Sequence, residues 1–258
     1  MQEQAKQQVT DFLQQLKIEK RASVYTVKSY QRDLQQLTAF CLKYNIESWM
    51  DVQADNILKH ISARHRSGLG SASLQRELSA IRSFYYYLMK TDQALNNPAQ
   101  HVKAPKQPRK LPKTMDVDQV TGLLDAGANS VLETRDVAMF ELFYSSGLRL
   151  SELSALNLAD IDIGAQQLKV LNGKGGKSRQ LPVGSKAITA LNTWLLVRPS
   201  KSADETAVFT SQHGTRLGNR SIQVRLKQWC FKKGVAEPVH PHMLRHSFAT
   251  HLLESSKD

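Results

Sequence analysis

An arginine at a predicted helix junction is the first residue with the chemistry to bind a phosphate. Arg149 lies in the segment Ser146-Gly-Leu-Arg-Leu-Ser-Glu-Leu153, where Gly147 is predicted to end one helix and Ser151 to begin the next. Its planar guanidinium can donate paired hydrogen bonds to phosphate oxygens. The residues alone leave a second interpretation open, in which Glu152 binds Arg149 as a structural ion pair.

Two lysines occupy a glycine turn between predicted strands. Lys174 and Lys177 lie in Asn172-Gly-Lys-Gly-Gly-Lys177, and a hairpin tip of this kind can carry an ammonium over a DNA groove or a reacting phosphate. Hairpin lysines also serve solubility, and that alternative stays open. The segment ends like a phosphate-binding P-loop, but Leu171 stands where a glycine is needed and a strand follows instead of a helix, which excludes nucleotide hydrolysis.

A histidine-rich segment provides the third candidate. Residues 240–251 contain four His and one Arg. A helix that begins at Pro241 would place His242 and Arg245 on one face, because residues three apart are neighbours on a helix surface. The apolar stripe expected behind them consists of Leu244, Phe248 and Leu252.

A metal site in this segment is not predicted. His242 and His246 have the spacing of two zinc ligands, but Met243 replaces the Glu of a His-Glu-x-x-His site. We therefore expect no metal and no cofactor, and we expect a structural, hydrogen-bonded role for His246 or His251.

The elements that must position these side chains form a mainly α fold with a small antiparallel β-sheet. In the first part of the chain, apolar residues at helical spacing predict a bundle of four helices. The predicted helices cover residues 3–16, 30–44, 54–64 and 74–88. Ser71 or Ser73 is the predicted N-cap of the fourth. The later part reads as an α+β domain. Its first predicted helix ends at Leu124 and has Asp116 or Asp118 as its N-cap. Four further helices are predicted over 134–144, 185–196, 221–231 and 242–253. Strands are predicted at 168–171 and 180–183, with a possible third strand at 207–209.

The charge of the chain indicates a polyanionic partner. Lys and Arg number 35 against 23 Asp and Glu, which gives a net charge of +12. The eleven residues 103–113 hold five basic side chains, no acidic ones and three of the eight prolines, so we predict a semi-rigid basic strap between two domains. A solvated spacer is the alternative. The candidate DNA contacts are Arg76, Lys103, Lys106, Arg109, Lys110, Lys113, Lys177 and Arg179.

The strap predicts the domain organisation: a helical domain over 1–102, the linker 103–113 and a second domain over 114–258. No stretch approaches the ~20 consecutive apolar residues of a membrane helix, and the N-terminus lacks the apolar region of an export signal. We therefore expect a cytoplasmic protein without a membrane partner. Cys41 and Cys230 cannot build a disulfide framework or a zinc ribbon, and we expect both to be buried.

Taken together, three segments resemble the tyrosine site-specific recombinases of the phage integrase family. They are, in order, Gly147-Leu-Arg-Leu-Ser-Glu-Leu153, the Gly-Lys-Gly turn at 173–175 and Pro241–His251. The likeness covers nearly the whole chain: the helical bundle resembles the family's core-binding domain, and the absence of a domain before it is similar to the simple Xer type. The strap and the ending Leu253-Glu-Ser-Ser256 narrow the resemblance to one Xer subgroup.

The resemblance implies roles for four residues. Arg149 and Arg245 match the family's two phosphate-binding arginines, and His242 matches a histidine that assists proton transfer. Lys174 matches the hairpin lysine that protonates the leaving 5′ oxygen. Arg and Lys side chains would then stabilise the negative charge of the transition state without a metal.

The resemblance also implies an activity and partners. It is the cutting and rejoining of double-stranded DNA at a short inverted-repeat chromosomal site of the dif type, through a 3′-phosphotyrosine. Chromosome dimers would be resolved at cell division in a heterotetramer with a XerD-like recombinase, under the control of a septal DNA translocase. The family's second histidine and nucleophilic tyrosine lie after the His-x-x-Arg helix, whereas all seven tyrosines here precede His242. We therefore expect a truncated recombinase whose 258 residues bind DNA without cleaving it.

Three other interpretations remain open. The chain could be a non-catalytic, sequence-specific DNA-binding protein, or another simple integrase or transposon recombinase. A scaffold whose charge is incidental is the third.

Overall fold

The protein is described by a computed structural model over residues 3–18, 22–105, 114–125, 127–171, 178–199, 206–235 and 239–255. The chain divides into two compact units, Met1–Lys110 and Leu111–Asp258. No helix in these ranges is both long and apolar enough to span a bilayer.

The first unit is a bundle of four helices. They are α1 (Glu3–Ile18), α2 (Val24–Lys43), α3 (Ala54–Arg66) and α4 (Ser71–Lys90). Their apolar stripes meet in a core that includes the fully buried Leu34, Leu37, Ile57, Leu74, Leu78 and Phe84. A 3₁₀ turn at Trp49–Asp51 closes the bundle. The Trp49 indole donates to the Ala5 carbonyl at 2.8 Å, and its own carbonyl accepts from the Tyr85 hydroxyl at 3.0 Å.

The four predicted helices are confirmed, and the differences lie at their ends. The α4 N-cap is Gly70, and neither predicted serine fills that position. The extended backbone that an N-cap needs falls on Gly70, whose carbonyl accepts from the Leu74 N–H, so Ser71 is already helical. Tyr44, predicted as the last residue of the α2 stripe, is the C-cap of α2 and is 53% exposed.

The second unit contains six described helices and one sheet. The helices are α5 (Val117–Leu124), α6 (Val131–Ser146), α7 (Leu150–Ala155), α8 (Ser185–Val197), α9 (Asn219–Lys232) and α10 (Pro241–Ser255). Asp116 caps α5 as predicted, through a capping box with Gln119. Helix α6 lies at the centre, packed against α5, α7, α8, α9 and α10, so that Phe140, Leu142 and Phe143 are fully buried.

The sheet has three antiparallel strands in sequence order: β1 (Ile161–Asp162), β2 (Gln167–Val170) and β3 (Arg179–Pro182). The predicted hairpin is thereby confirmed, with Leu168 opposite Leu181 and Val170 opposite Arg179. The turn that joins β2 to β3, at 172–177, lies outside the described residues.

Two sequence expectations for this unit are wrong. The possible strand at 207–209 does not form, because the chain reverses at Ser211–Thr215 and leaves only isolated bridges at Ala207 and Thr210. The buried stripe of α10 ends before Leu252, which is 55% exposed. The face of α10 that meets α6 continues through His251 instead. Cys41 and Cys230 are both buried and unpaired, as expected.

Candidate functional site

The site is built on the sharp junction between α6 and α7. Gly147 ends α6 in the left-handed conformation, with a φ of 55°. A Cβ at this position would lie 2.6 Å from the Phe248 ring of α10, so both the backbone angle and the close approach require glycine. Arg149 follows two residues later as the extended N-cap of α7. Helix α7 therefore begins at Leu150, one residue before the Ser151 that the sequence predicted.

Glu152 binds Arg149 twice. Its carboxylate accepts the backbone N–H of Arg149 at 2.8 Å and the Nη1 of the same residue at 2.8 Å. The first bond caps α7 and the second fixes the guanidinium over the start of the helix. The ion pair that the sequence left as an alternative is therefore present.

A second guanidinium shares the same carboxylate. Arg179, the first residue of β3, donates from Nη1 and Nη2 to the two oxygens of Glu152 at 2.9 and 2.8 Å. Burial raises the pKa of Glu152, but the hydrogen bonds from Arg179 and Arg149 outweigh it and lower the pKa to about 2. Glu152 is 7% exposed, whereas the side chains of Arg149 and Arg179 are 39% and 33% exposed.

Arg245 brings a third guanidinium from α10. Its Nη1 donates to the carbonyl of Gly147, two residues before Arg149. Burial lowers the pKa of Arg245, and the neighbouring charge of Arg149 lowers it further. We call Arg149, Arg179, Arg245 and Glu152 the arginine cluster.

The arginine cluster is suited to an anion. Two guanidiniums bind one ionised carboxylate, whose charge also acts on the third guanidinium, that of Arg245, and the cluster therefore has an excess of two positive charges. Because like charges at close range repel, an anion that bound between the guanidiniums would relieve that repulsion. Guanidinium forks match the paired oxygens of a phosphate diester.

His242 lies on the same helix as Arg245, one turn earlier, and is exposed. Its ring makes an edge contact with His240, at 6.5 Å between centroids. His246 is also exposed, whereas His251 bonds the Tyr144 hydroxyl. The structural role expected for His251 thus has a partner, and His246 has none among the described contacts.

The other predicted residues are placed as follows. Lys174, Lys177, Lys106, Arg109, Lys110 and Lys113 lie outside the described residues. Lys103 is exposed and follows the last helix of the first unit. Arg76 donates from Nε and Nη2 to the buried Asp33 at 2.9 and 2.8 Å, so its guanidinium already has an anionic partner.

Sequence reasoning missed two features of the site. It named Arg179 as a DNA contact but did not place it beside Arg149. It also did not foresee that Arg245 reaches the Gly147 carbonyl. The Arg-x-x-Glu spacing on α7 was the visible signal for the Arg149–Glu152 pair, but the contacts from β3 and α10 join residues 27 and 98 positions apart.

Comparisons with known proteins identify the family of the chain. The profile of the Phage integrase family matches residues 113–258, and that of the Phage integrase N-terminal SAM-like domain matches residues 9–92. Tyrosine recombinase XerC of Pseudomonas syringae pv. syringae (strain B728a) is 46% identical over 253 residues, covering 98% of this chain and 84% of that protein. XerC of Alcanivorax borkumensis is 46% identical over 256 residues, covering 98% and 82%.

A solved structure has the same fold. The integrase of transposon Tn1549 in complex with transposon right end DNA matches with a TM-score of 0.78 and 16% sequence identity, over 97% of this chain and 88% of that one. The XerC relatives also confirm the subgroup to which the strap and the ending Leu253-Glu-Ser-Ser256 pointed.

Proposed function

The chain belongs to the phage integrase family of tyrosine recombinases, and from that membership we propose that it acts on DNA as a site-specific recombinase. In this proposal it recognises a short inverted-repeat site and its catalytic unit holds the phosphodiester that is exchanged. The observation that carries the proposal is the arginine cluster, where Arg149 and Arg179 bind one carboxylate and Arg245 binds the Gly147 carbonyl two residues before Arg149.

The arginine cluster would stabilise the transition state of phosphoryl transfer. Negative charge develops on the nonbridging oxygens as the phosphate becomes pentacoordinate. Arg149 and Arg245 would each donate to these oxygens, and Glu152 would hold Arg149 in place from behind. Fixed donors of this kind need no reorganisation when the charge develops, which is the main source of their catalytic effect.

Proton transfer is assigned to two further residues. His242 lies one turn from Arg245 and is exposed, so it could reach the same phosphate. Lys174 would protonate the 5′ oxygen that leaves. In the proposal, the strap residues 103–113 and Lys177 contact the DNA backbone, where their charges release counterions.

We propose that residues 1–258 alone bind the site without cleaving it. The tyrosines at 25, 30, 44, 85, 86 and 87 belong to the first unit, and Tyr144 is half-buried with its hydroxyl bonded to His251. None follows the His-x-x-Arg helix, where the family's nucleophile lies. The transfer to a 3′-phosphotyrosine therefore requires a tyrosine that these residues do not supply.

The similarity to XerC supports a more specific role. We propose that the substrate is a dif-type site on the chromosome and that the product is a resolved chromosome dimer. A XerD-like recombinase would complete a heterotetramer, with a septal DNA translocase as the regulator and the cytoplasm as the place of action. The 46% identity to XerC of Pseudomonas syringae supports this assignment.

A nicked suicide substrate tests the proposal directly. The protein is mixed with DNA that carries a dif-type site, and with a scrambled sequence of the same length. One half of each sample is run on a native gel and the other half in detergent. We expect a shift that is specific to the site and no detergent-resistant adduct.

Two results would overturn parts of the proposal. An adduct would show that one of the seven tyrosines attacks DNA, and the assignment of a missing nucleophile would be wrong. Equal shifts with both DNAs, or no shift with either, would reject site recognition by this chain.

A further inference from the structure

Helix α10 meets the end of α6 through three side chains on one face. Arg245 donates to the Gly147 carbonyl, the Phe248 ring covers the Cα of Gly147, and His251 bonds Tyr144. The residues recur every three positions, close to one helical turn. The first two contacts meet at Gly147. The third lies one turn earlier on α6, at Tyr144, and six residues after Arg245 on α10, at His251.

Tyr144 and His251 are joined in a defined geometry. The hydroxyl of Tyr144 lies 3.0 Å from Nδ1 of His251, and the rings meet edge to face at 5.9 Å. Both side chains are half-buried and line a cavity of about 490 Å³ between α5, α6, α8 and α10. Burial and the nearby charge of Glu141 raise the pKa of Tyr144, so its hydroxyl stays protonated.

This bond is not required by burial. Groups that border an open cavity can exchange a protein partner for water at small cost. What the bond supplies is a further attachment toward the C-terminal end of α10. Other attachments lie earlier on the helix: the two contacts at Gly147, the fully buried Leu244, and Ser247, which accepts the Met115 N–H at 2.9 Å. Six residues along a helix span about 9 Å, so an attachment at that distance from Arg245 constrains the angle of α10 on α6.

We propose that the Tyr144–His251 hydrogen bond positions Arg245 beside Arg149. Both are positioning residues, since they act through α10 and not on the phosphate. The inference rests on the proposed function, in which Arg245 and Arg149 hold one phosphodiester. Without the bond, the angle of α10 on α6 would vary more about its attachments near Gly147, and the separation of the two guanidiniums would vary with it.

The test uses nuclear magnetic resonance of ¹⁵N-labelled protein without DNA. The exchange rate with solvent of the Arg245 Nη–H protons, one of which bonds the Gly147 carbonyl, reports how firmly this side chain is held. Tyr144→Phe keeps the ring and removes the hydroxyl, and His251→Leu removes the imidazole partner. Tyr86→Phe, at an exposed tyrosine of α4, is the matched control.

We expect Tyr144→Phe and His251→Leu each to raise the exchange rate about three- to ten-fold, because each variant removes one hydrogen bond. His251→Asn should restore the wild-type rate, because its amide places a donor or an acceptor near the Nδ1 position. A packing role alone would not be rescued in this way. Unchanged exchange in Tyr144→Phe, or exchange in His251→Asn as fast as in His251→Leu, would overturn the inference.

Inorganic phosphate separates this inference from the proposed function. In the wild type, titration with phosphate should shift the Nε–H signals of Arg149 and Arg245 together, and Tyr144→Phe should weaken that binding several-fold. If phosphate shifts neither signal in the wild type, the phosphate site of the proposed function is wrong. The positioning of Arg245 is judged by the exchange rates alone.

Discussion

Arginines bind buried carboxylates in both units, and the two regions use them differently. In the first unit, Arg76 binds Asp33 and each charge has one partner. In the second, Glu152 binds Arg149 and Arg179, while Arg245 approaches the same group. The first arrangement is neutral, and the second keeps an excess of positive charge. The number of cations that share a carboxylate therefore separates the two cases. A carboxylate with one cation forms a structural pair, whereas one with several leaves positive charge available to an anion.

Excess charge must also be reachable. Asp136 on α6 binds both Arg135 and Arg225. Arg135 is 3% exposed in its side chain and gives another donor to the Thr210 carbonyl. These three residues stabilise the interior of the second unit, since Asp136 and Arg135 are buried and only the Arg225 side chain, 28% exposed, reaches the surface among them. The arginine cluster differs because both guanidiniums that bind Glu152 are partly exposed, 39% for Arg149 and 33% for Arg179.

The largest loss of stability is expected when a carboxylate that accepts hydrogen bonds from a buried side chain is removed. Glu77, fully buried, accepts from His60 at 2.6 Å and from Arg64 at 3.3 Å. Glu77→Ala should reduce the free energy of unfolding of the first unit by about 3 kcal/mol, because polar groups are left buried and unpaired. Glu152→Ala should cost the second unit only about 1 kcal/mol, since its arginines reach water.

Urea unfolding, followed by hydrogen exchange in each unit, measures both losses. Glu254→Ala, at an exposed acid of α10, controls for the loss of a carboxylate alone. Equal losses of unfolding free energy in Glu77→Ala and Glu152→Ala would contradict the distinction between the two regions, because Glu152 would then have the same structural role as Glu77.

A smaller effect is expected at the junction that holds the arginine cluster together. Gly147→Ala should destabilise the second unit by about 2 kcal/mol, from the left-handed backbone and from contact with Phe248. Gly127→Ala is the matched control, because its φ of 61° is similar and nothing lies within 4 Å of the added Cβ. It should cost about 1 kcal/mol. Thermal unfolding measures both, and equal shifts would show that the Phe248 contact can relax.

The helices of both units follow from local patterns in the sequence. The α2 stripe is typical, since Leu34, Leu37 and Cys41 recur at helical spacing and are all buried. The glycine turn likewise predicted the hairpin of β2 and β3. Local signals were weaker at helix ends, where the N-cap of α4 falls on Gly70 and not on a serine, because backbone angle and side-chain capping compete there.

The site was predictable in its residue types and less so in its contacts. Arg149, Glu152 and Arg245 were all named from the sequence, because short motifs contain them. Their arrangement depends on packing between elements far apart in the chain: β3 delivers Arg179, and α10 delivers Arg245. No periodicity carries that information, so the excess charge at Glu152 could be seen only in three dimensions.

Acid should affect the arginine cluster in a defined pH window. The pKa of Glu152 is about 2 in the folded chain, below the value of about 4.3 for an unperturbed Glu. Its stabilising contribution is therefore complete above about pH 4.3 and is lost as the pH falls through 2. Glu152→Gln should make the second unit about 1 kcal/mol less sensitive to acid over this window, after allowance for solvent screening.

Urea unfolding at pH 5 and at pH 2.5 checks this expectation. Glu254→Gln, in the same unit but exposed, should leave the acid dependence as in the wild type. If Glu152→Gln behaves in the same way, Glu152 is not held ionised by the two arginines.

The smallest effect separates the two kinds of arginine by their response to salt. Arg149→Ala should reduce the steepness of the fall of log affinity for site DNA with log salt concentration by about one unit of slope, the value for one lost phosphate contact. Arg76→Ala should leave the slope unchanged, because both donors of its fork already bind Asp33. Each variant loses one positive charge, so each controls for the net charge of the other. Arg76 was itself predicted to contact DNA, and a reduced slope for Arg76→Ala would restore that prediction. It would also show that a balanced ion pair can still exchange its carboxylate for a phosphate, and the number of cations per acid would then not distinguish the two regions.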